Sequence, residues 1–346
     1  MKKPFLILVI VLQASLTMAQ FNAEKDPFMT KPLSNENIKN AEVQTSGGSI
    51  SVSAVNPSEA RIEVYIQAGN GKGNLSKEEI QKRLDGKYDL TISVSNNKVR
   101  AIAKNKVNIS DWKNALSISF KVFVPKNVST DLNTSGGSIN LDGISGDQDF
   151  TTSGGSLNVE NVSGKVRGRT SGGSINVENS TDDIELTTSG GSISAGNCNG
   201  KLKLTTSGGS LELKDLAGDI EATTSGGSVR GKRIAGRLSS HTSGGSIYLD
   251  DLTCSLETST SGGNIDITVK EPGKYIKVSN SSGDIELQLP KGKGLDLDLS
   301  ANKIKTDQFD NFKGKIEEGI VEGTINGGGI PVEVRSGNGK ISFLLK

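Results

Sequence analysis

Few side chains in this sequence have types and spacings that could do chemistry. The single histidine, His241, precedes a Thr-Ser-Gly-Gly segment, and no serine or aspartate stands at a distinctive spacing from it, as a nucleophilic site would need. The acidic pairs Asp182–Asp183 and Asp250–Asp251 are adjacent in sequence. Because adjacent strand residues point to opposite faces, these pairs are poor candidates for a glycosidase acid and base and are interpreted as solvated corner charges. We expect a non-enzymatic protein without catalytic residues.

Metal and cofactor sites are not predicted. Calcium-binding solenoids repeat Gly-Gly-x-Gly-x-Asp, in which the aspartate supplies carboxylate ligands. This sequence has Ser and Thr at the corresponding positions, and one His with two Cys is too few for clustered transition-metal sites. The sequence therefore predicts no metal ion and no cofactor, and it leaves any binding residues unknown.

The two cysteines are expected to be free thiols. Cys198 and Cys254 are separated by three 18-residue repeats and two further positions. If the repeats stack, three coils correspond to about 14 Å, whereas bridged Cα atoms lie within about 7 Å of each other. Cys198 also shares a repeat position with Ile144, Val162 and Leu216, which predicts a buried core thiol.

A strict repeat surrounds all of these residues. The hexapeptide Thr-Ser-Gly-Gly-Ser-aliphatic recurs every 18 residues, with Asn264 replacing the second Ser in the last copy. An isolated copy begins at Thr45, and degenerate copies begin at Asn280, Asn326 and Ser336. Such self-similarity indicates a repeat architecture rather than disorder. The regular copies begin at Thr134, Thr152, Thr170, Thr188, Thr206, Thr224, Thr242 and Thr260.

The repeat predicts an all-β fold, a parallel β-solenoid with 18-residue coils. In each repeat, aliphatic residues alternate with polar ones after the glycines, as Ile139 and Leu141 do, and again before the next corner. Each coil then supplies two short strands, and stacking the coils buries the aliphatic columns. A right-handed β-helix is expected because parallel crossovers are overwhelmingly right-handed. Charges at one repeat position alternate in sign from Asp147 through Lys165 to Asp183, which predicts a structural charge ladder.

The chain is divided into four segments. Residues 1–19 form a predicted signal peptide, with Lys2 and Lys3 before an apolar run and small residues before the cleavage point. A lead-in, 20–44, precedes the first coil and a β-rich capping excursion, 45–133, and 134–346 is the solenoid with its C-terminal closing coils. One helix is predicted to begin at Ser76, and Phe309 and Phe312 are candidates for closing the last coils. An independent small domain is the alternative for the excursion.

Composition excludes several partners. The chain has 40 basic and 39 acidic residues, so charge gives no reason to expect binding to nucleic acid or an anionic membrane. Aromatic residues are only 4% of the chain and Trp112 is the single tryptophan, which disfavours stacking surfaces. No transmembrane segment is predicted in the mature chain. The partner stays unknown, with a cell-surface protein or glycan as candidates.

The sequence resembles the bacterial putative-adhesin family of unknown function, whose members carry Gly-rich short β-strand repeats. The resemblance rests on the copy at Thr45–Ile50, the excursion ending at Phe120–Pro125, the repeated coils, and the coil at Ser336–Ile341. It implies the solenoid fold and an adhesin-like role, and it provides no catalytic or ligand residues.

Three functional hypotheses follow, and a fourth is weaker. The first is an exported adhesin-like protein at the cell surface, in the periplasm or secreted, which mediates surface or envelope interactions. The second is a periplasmic structural or stress-associated envelope protein. The third, more remote, is a carbohydrate-active β-helix enzyme. The fourth is binding of ice or a crystal surface by a Thr/Ser ladder, against which stands the simpler interpretation that the hydroxyls satisfy the corner backbone.

Overall fold

The computed structural model describes residues 26–69, 75–106 and 115–346, which fold almost entirely into β-strands. The predicted signal peptide, 1–19, and Trp112 lie outside these residues. The strands are mostly paired in parallel and form one long, open, hydrogen-bonded stack. This is the all-β, solenoid-like architecture that the repeat predicts.

The N-terminal region contains the first coil and a cap. In the cap, β6 and β7 pair in parallel with β2 and β3, while β5 and β4 add antiparallel strands further out. The helix α1 begins after Ser76, whose Oγ accepts from the Glu79 amide at 3.3 Å. The excursion therefore stacks directly on the first coil. The elements are β1 (Met29–Pro32), β2 (Asn40–Gln44), β3 (Ile50–Ala54), a 3-10 turn (Pro57–Glu59), β4 (Arg61–Ala68), α1 (Lys77–Lys87), β5 (Tyr88–Ser95), β6 (Lys98–Asn105) and β7 (Leu116–Val124).

The regular stack consists of parallel strands whose partners lie 18 residues apart, as Asn158 bonds to Asn140. Short strands are separate at first and merge into long continuous ones in the last three coils. They are β8 (Ser129–Asn133), β9 (Ile139–Asp142), β10 (Gln148–Thr151), β11 (Leu157–Glu160), β12 (Ser163–Thr170), β13 (Ile175–Glu178), β14 (Thr181–Thr188), β15 (Ile193–Gly196), β16 (Asn199–Thr206), β17 (Leu211–Thr223), β18 (Val229–Thr242) and β19 (Ile247–Thr260).

Two ladders of strands enclose the core. Ladder A contains the strands that follow each Gly-Gly corner, such as β9, β11 and the first half of β18. Ladder B contains the strands that precede the next corner, such as β10, β12 and the second half of β18. The alternating aliphatic residues point inward from both ladders and are almost completely buried. Gly168 interrupts one column, where the Phe150 ring occupies the space a side chain would need.

The second glycine of each corner is required by close backbone approach. A Cβ built on Gly209 would lie 2.0 Å from the carbonyl oxygen of Gly191 one coil earlier. The first glycine, Gly208, would meet nothing nearer than 3.5 Å. Neither residue has a left-handed φ. The corner therefore needs glycine because the backbones approach closely, not because of a positive φ, and it needs glycine at the second position of the pair only.

The threonine of each corner points into the molecule. Thr224 is about 1% exposed, and its hydroxyl donates to the Gly209 carbonyl of the preceding coil at 2.7 Å. The same hydroxyl accepts from the Gly227 amide at 3.3 Å. The hydroxyls thus satisfy the corner backbone, and the buried threonines cannot form an outward ladder for ice or a crystal.

The opposite corner uses left-handed residues, a feature the sequence analysis did not identify. Asn and Asp tolerate this conformation because their side chains bond locally. Arg233 is the exception at φ 54°. The column comprises Gly143, Asn161, Asn179, Asn197, Asp215, Arg233 and Asp251.

The C-terminal region ends the stack with an insertion. β27 and β28 are the last strands in sequence, yet β27 lies between β21 and β23, and β28 lies between β22 and β24. Sequence order suggested that the Ser336 coil would be terminal, whereas the outermost coil is formed by β23 and β24. The strands are β20 (Ile265–Val269), β21 (Ile276–Asn280), β22 (Ile285–Leu289), β23 (Leu295–Ser300), β24 (Lys303–Thr306), β25 (Phe312–Glu317), β26 (Ile320–Ile325), β27 (Ile330–Ser336) and β28 (Lys340–Leu345).

The inserted coil matches the regular stack closely. A Cβ on Gly339 would lie 1.9 Å from the Gly283 carbonyl oxygen, the same approach as at the regular corners. Phe309 packs beside it, with ring centroids 5.4 Å from Phe312 and 5.9 Å from Phe343. We refer to residues 291–329, which lie beyond this coil, as the C-terminal cap.

Candidate functional site

The residues considered first for chemistry are not assembled into one site. His241 is exposed on ladder B, with its Nδ1 2.8 Å from the hydroxyl of Ser259 on the next coil. Ser259 does not stand out in the sequence as a partner of His241, because the two residues are simply one repeat apart. The pair occupies neighbouring rungs of the outward face, between Thr223 and Ser279 in the same column.

Adjacent carboxylates turn to different partners because one member of each pair, Asp182 or Asp251, has a left-handed φ, and not because strand residues alternate as the sequence suggested. Asp182 adopts φ 83° and accepts from the Gly164 amide at 2.9 Å, whereas Asp183 lies on ladder B opposite Lys201. Asp250 pairs with Lys232 at 2.8 Å, and Asp251 lies 3.8 Å from Lys270. Within residues 26–69, 75–106 and 115–346, no three His, Cys, Asp or Glu side chains are grouped so as to hold a metal ion.

Both cysteines are free thiols, and Cys198 is buried as its repeat position predicts; Cys254 is buried as well. Burial raises the pKa of Cys254 to about 12 and also raises the pKa of Cys198. Since the thiolate is the reactive species, both side chains stay protonated and inert at ordinary pH.

We expect both thiols to be unreactive in the folded protein and reactive once it is unfolded. A raised thiol pKa keeps the thiolate fraction negligible at pH 8, and burial of Cys198 and Cys254 blocks reagent access. Titration with a chromogenic disulfide should detect no fast-reacting thiol in buffer and two in guanidinium chloride. A thiol that reacts rapidly in buffer would contradict this packing.

The clearest candidate for binding is an open groove on the outward face of ladder A. It has a volume of about 440 Å³ and extends across the first halves of β17, β18 and β19 to β20. Tyr248 lies in it and is 42% exposed. Its lining is formed mainly by outward side chains of four successive coils, namely Glu212, Lys214, Arg230, Lys232, Tyr248, Asp250, Asp266 and Thr268.

Charges of both signs surround the tyrosine. The Arg230 guanidinium lies 5.4 Å from the centre of the Tyr248 ring, within range of a cation–π contact. Lys232 is engaged by Asp250. At the rim, Arg233 donates from Nη2 to Asp215 at 2.9 Å, and this hydrogen bond lowers the pKa of Asp215. The groove therefore offers an apolar ring with donors and acceptors on each side.

This groove was not predicted from the sequence. The scarcity of aromatic residues disfavoured stacking surfaces, and the groove is a candidate because of a single outward tyrosine flanked by charges. The available signal was Tyr248 at a polar position of the repeat, where other coils have Asn, Ser, Glu, Arg or Asp.

Residues 200–343 match the family model described as Toastrack DUF4097. This part of the chain resembles a Toastrack domain. The resemblance to a family of unknown function is thereby confirmed. The matched segment contains the whole groove, the last regular coils and nearly all of the inserted C-terminal coil.

Two crystal structures resemble the chain only distantly. One is a putative adhesin from Bacteroides fragilis NCTC 9343, at 10% identity and a TM-score of 0.30, covering 91% of this chain and 96% of that one. The other is a putative cell adhesion protein from Clostridium sporogenes ATCC 15579, at 11% identity and a TM-score of 0.19, covering 92% and 98%. Comparison with curated proteins finds no match. The Toastrack assignment therefore rests on the family model.

The part of the chain that the structure describes has no helix of the length and apolar character needed to cross a membrane.

Proposed function

We propose that the protein is an exported, non-enzymatic, adhesin-like β-solenoid that mediates surface or envelope interactions. The observation that carries the proposal is the exposed Tyr248 in the groove of ladder A. Tyrosine is a frequent anchor in recognition because it offers a large amphipathic surface with little side-chain entropy to lose. Here the strand ladder holds it rigidly.

A cell-surface glycan or protein is the class of partner that the groove suits. Sugar rings and peptide side chains both pack on an aromatic face. Around that contact, the carboxylates of Glu212 and Asp266 can accept hydrogen bonds from a ligand. The Arg230 guanidinium can donate hydrogen bonds to it. The mixed charge gives no preference for a strongly anionic ligand.

The proposal includes two details of the solenoid, the length of its coil and the direction of its winding. Hydrogen-bonded positions 18 residues apart support a coil of that length. We infer right-handed winding from the strong preference of parallel crossovers.

Replacement of Tyr248 with alanine is expected to weaken binding at least tenfold in a glycan and cell-surface protein screen, because the anchor is lost. Tyr65→Ala is the matched control, since Tyr65 is a partly exposed tyrosine of the N-terminal cap with Lys121 4.5 Å above its ring. If both variants bound the partner equally well, the groove would not be the binding site.

Export to the surface is tested separately by protease shaving of intact cells. The mature chain should be cleaved while a periplasmic control protein stays intact. Protection until the envelope is broken would reject the surface role and favour the alternative, a periplasmic structural or stress-associated protein. Polysaccharide cleavage that a single substitution abolishes would favour the remote alternative, a carbohydrate-active enzyme.

A further inference from the structure

The outward face of ladder B carries charges in rows that alternate in sign along the stack. Five successive coils each contribute two charged residues of the same sign, two positions apart, and the next coil contributes the single charge of Arg237. The rows run across the ladder and follow one another about 4.8 Å apart. We call this surface the striped patch. In order, its six rows are Asp147 with Asp149, Lys165 with Arg167, Asp183 with Glu185, Lys201 with Lys203, Asp219 with Glu221, and Arg237 with Ser239.

Pairing within the chain leaves part of this charge unused. Arg237 lies 2.6 Å from Asp219, but Lys165, Asp183 and Lys201 form no ion pair within 4 Å in the part of the chain that the structure describes. These three side chains are exposed. Opposite charges thus lie next to each other on neighbouring strands, as the predicted charge ladder requires. Ion pairs within 4 Å form between only some of these neighbours.

Because of the order of its charges, the striped patch of one copy is complementary in charge to the same patch of a second copy that runs in the opposite direction. It is acidic, basic, acidic, basic, acidic, basic, so reversing the order exchanges every sign. A twofold axis parallel to the strands, midway between the rows of Asp183 and Lys201, places each acidic row against a basic row of a second copy. Lys165 then faces Asp219 of the other copy. With the two stacks side by side in the same direction, equal rows meet and repel.

We propose that the striped patch is a self-association surface, on which two copies pack with antiparallel stacks. Such an interface is isologous and closed. Six rows span about 24 Å, so the buried area is a few hundred Å² per copy, below the roughly 800 Å² of a standard stable interface. The dimer is therefore weak and salt-dependent. It leaves the Tyr248 groove open, because that groove belongs to ladder A, and it does not depend on the proposed function.

Paired cysteines test the axis directly. Lys165 and Asp219 lie three coils apart in one chain, about 14 Å, which is too far for an internal disulfide. In the antiparallel dimer they face each other. Lys165→Cys/Asp219→Cys in the full mature chain, with copper phenanthroline as oxidant, should form a disulfide-linked dimer at low salt. The matched control is Lys165→Cys/Lys201→Cys, whose positions face other residues and lie two coils apart.

The expected result is at least tenfold faster cross-linking of the first variant at 20 mM salt. The difference should disappear at 0.5 M salt, where charges are screened within a few Å. Circular dichroism establishes that both variants are folded, and the buried Cys198 and Cys254 do not interfere. Equal cross-linking of the two variants at low salt would indicate parallel or random encounters and overturn the proposal, as would a rate insensitive to salt.

Discussion

Gly209→Ala is expected to destabilise the protein by about 3 kcal/mol or more, whereas Gly208→Ala should change stability by less than about 1 kcal/mol. The two glycines are neighbours at one corner and have the same sequence environment. A methyl group on Gly209 would lie 2.0 Å from the Gly191 carbonyl oxygen, and only movement of two stacked backbones can relieve that overlap. A methyl group on Gly208 points to open surface, with nothing nearer than 3.5 Å.

Denaturation followed by circular dichroism measures the difference. The midpoint for Gly209→Ala should fall well below that of Gly208→Ala, which serves as its control. Equal midpoints would mean that the coils are not stacked at the spacing described. Because each coil contacts only its neighbours, the damaged corner is also expected to become the first region to open.

Deleting residues 330–346 is expected to release the C-terminal cap while the regular stack stays folded. Among the described residues, β23 and β24 are joined to the rest of the stack by strand pairing with β27 and β28, which this deletion removes. The deletion also removes the buried Phe343, so Phe309 loses the aromatic ring against which it packs. Limited trypsin digestion should then cut within 291–329 and spare the coils from Thr134 to Thr260.

A peptide with the sequence of residues 330–346 should restore protection of the cap when added to the truncated protein, since it can fill the vacant coil by strand addition. A scrambled peptide of the same composition is the control. Persistent resistance of 291–329 in the truncated protein alone would show that the cap does not depend on the insertion.

Much of the fold could be predicted from the sequence because the repeat carries it. Alternation around Ile139 and Leu141 indicated the strands, and Ser76 indicated the start of the helix, which the structure places at Lys77. The inward direction of the threonines could not be predicted. Inward and outward side chains are told apart by their alternation along a strand, and this alternation does not continue through a corner. The insertion of β27 and β28 was equally hidden, since equivalent coils can stack in any order that their connections allow.

The candidate site was harder to predict than the fold. Charges and cysteines draw attention in a sequence, yet Asp182, Asp183 and Cys198 are used for local bonds, the ladder and the core. Tyr248 was unremarkable as one of four tyrosines. Its role as a candidate depends on outward direction and on Arg230 in the preceding coil, which only the stacking register brings together.

The alternation of charge on ladder B also constrains how such a gene can change length. Neighbouring coils are interchangeable in backbone, so unequal recombination between repeats could remove or duplicate one coil without disturbing the hydrogen bonds. Losing one coil, however, would bring the rows of Lys165 and Lys201 together, with like charges on adjacent strands. Losing two coils restores the alternation. On this stretch of ladder B, the alternation of charge is therefore preserved when coils are lost or gained in pairs.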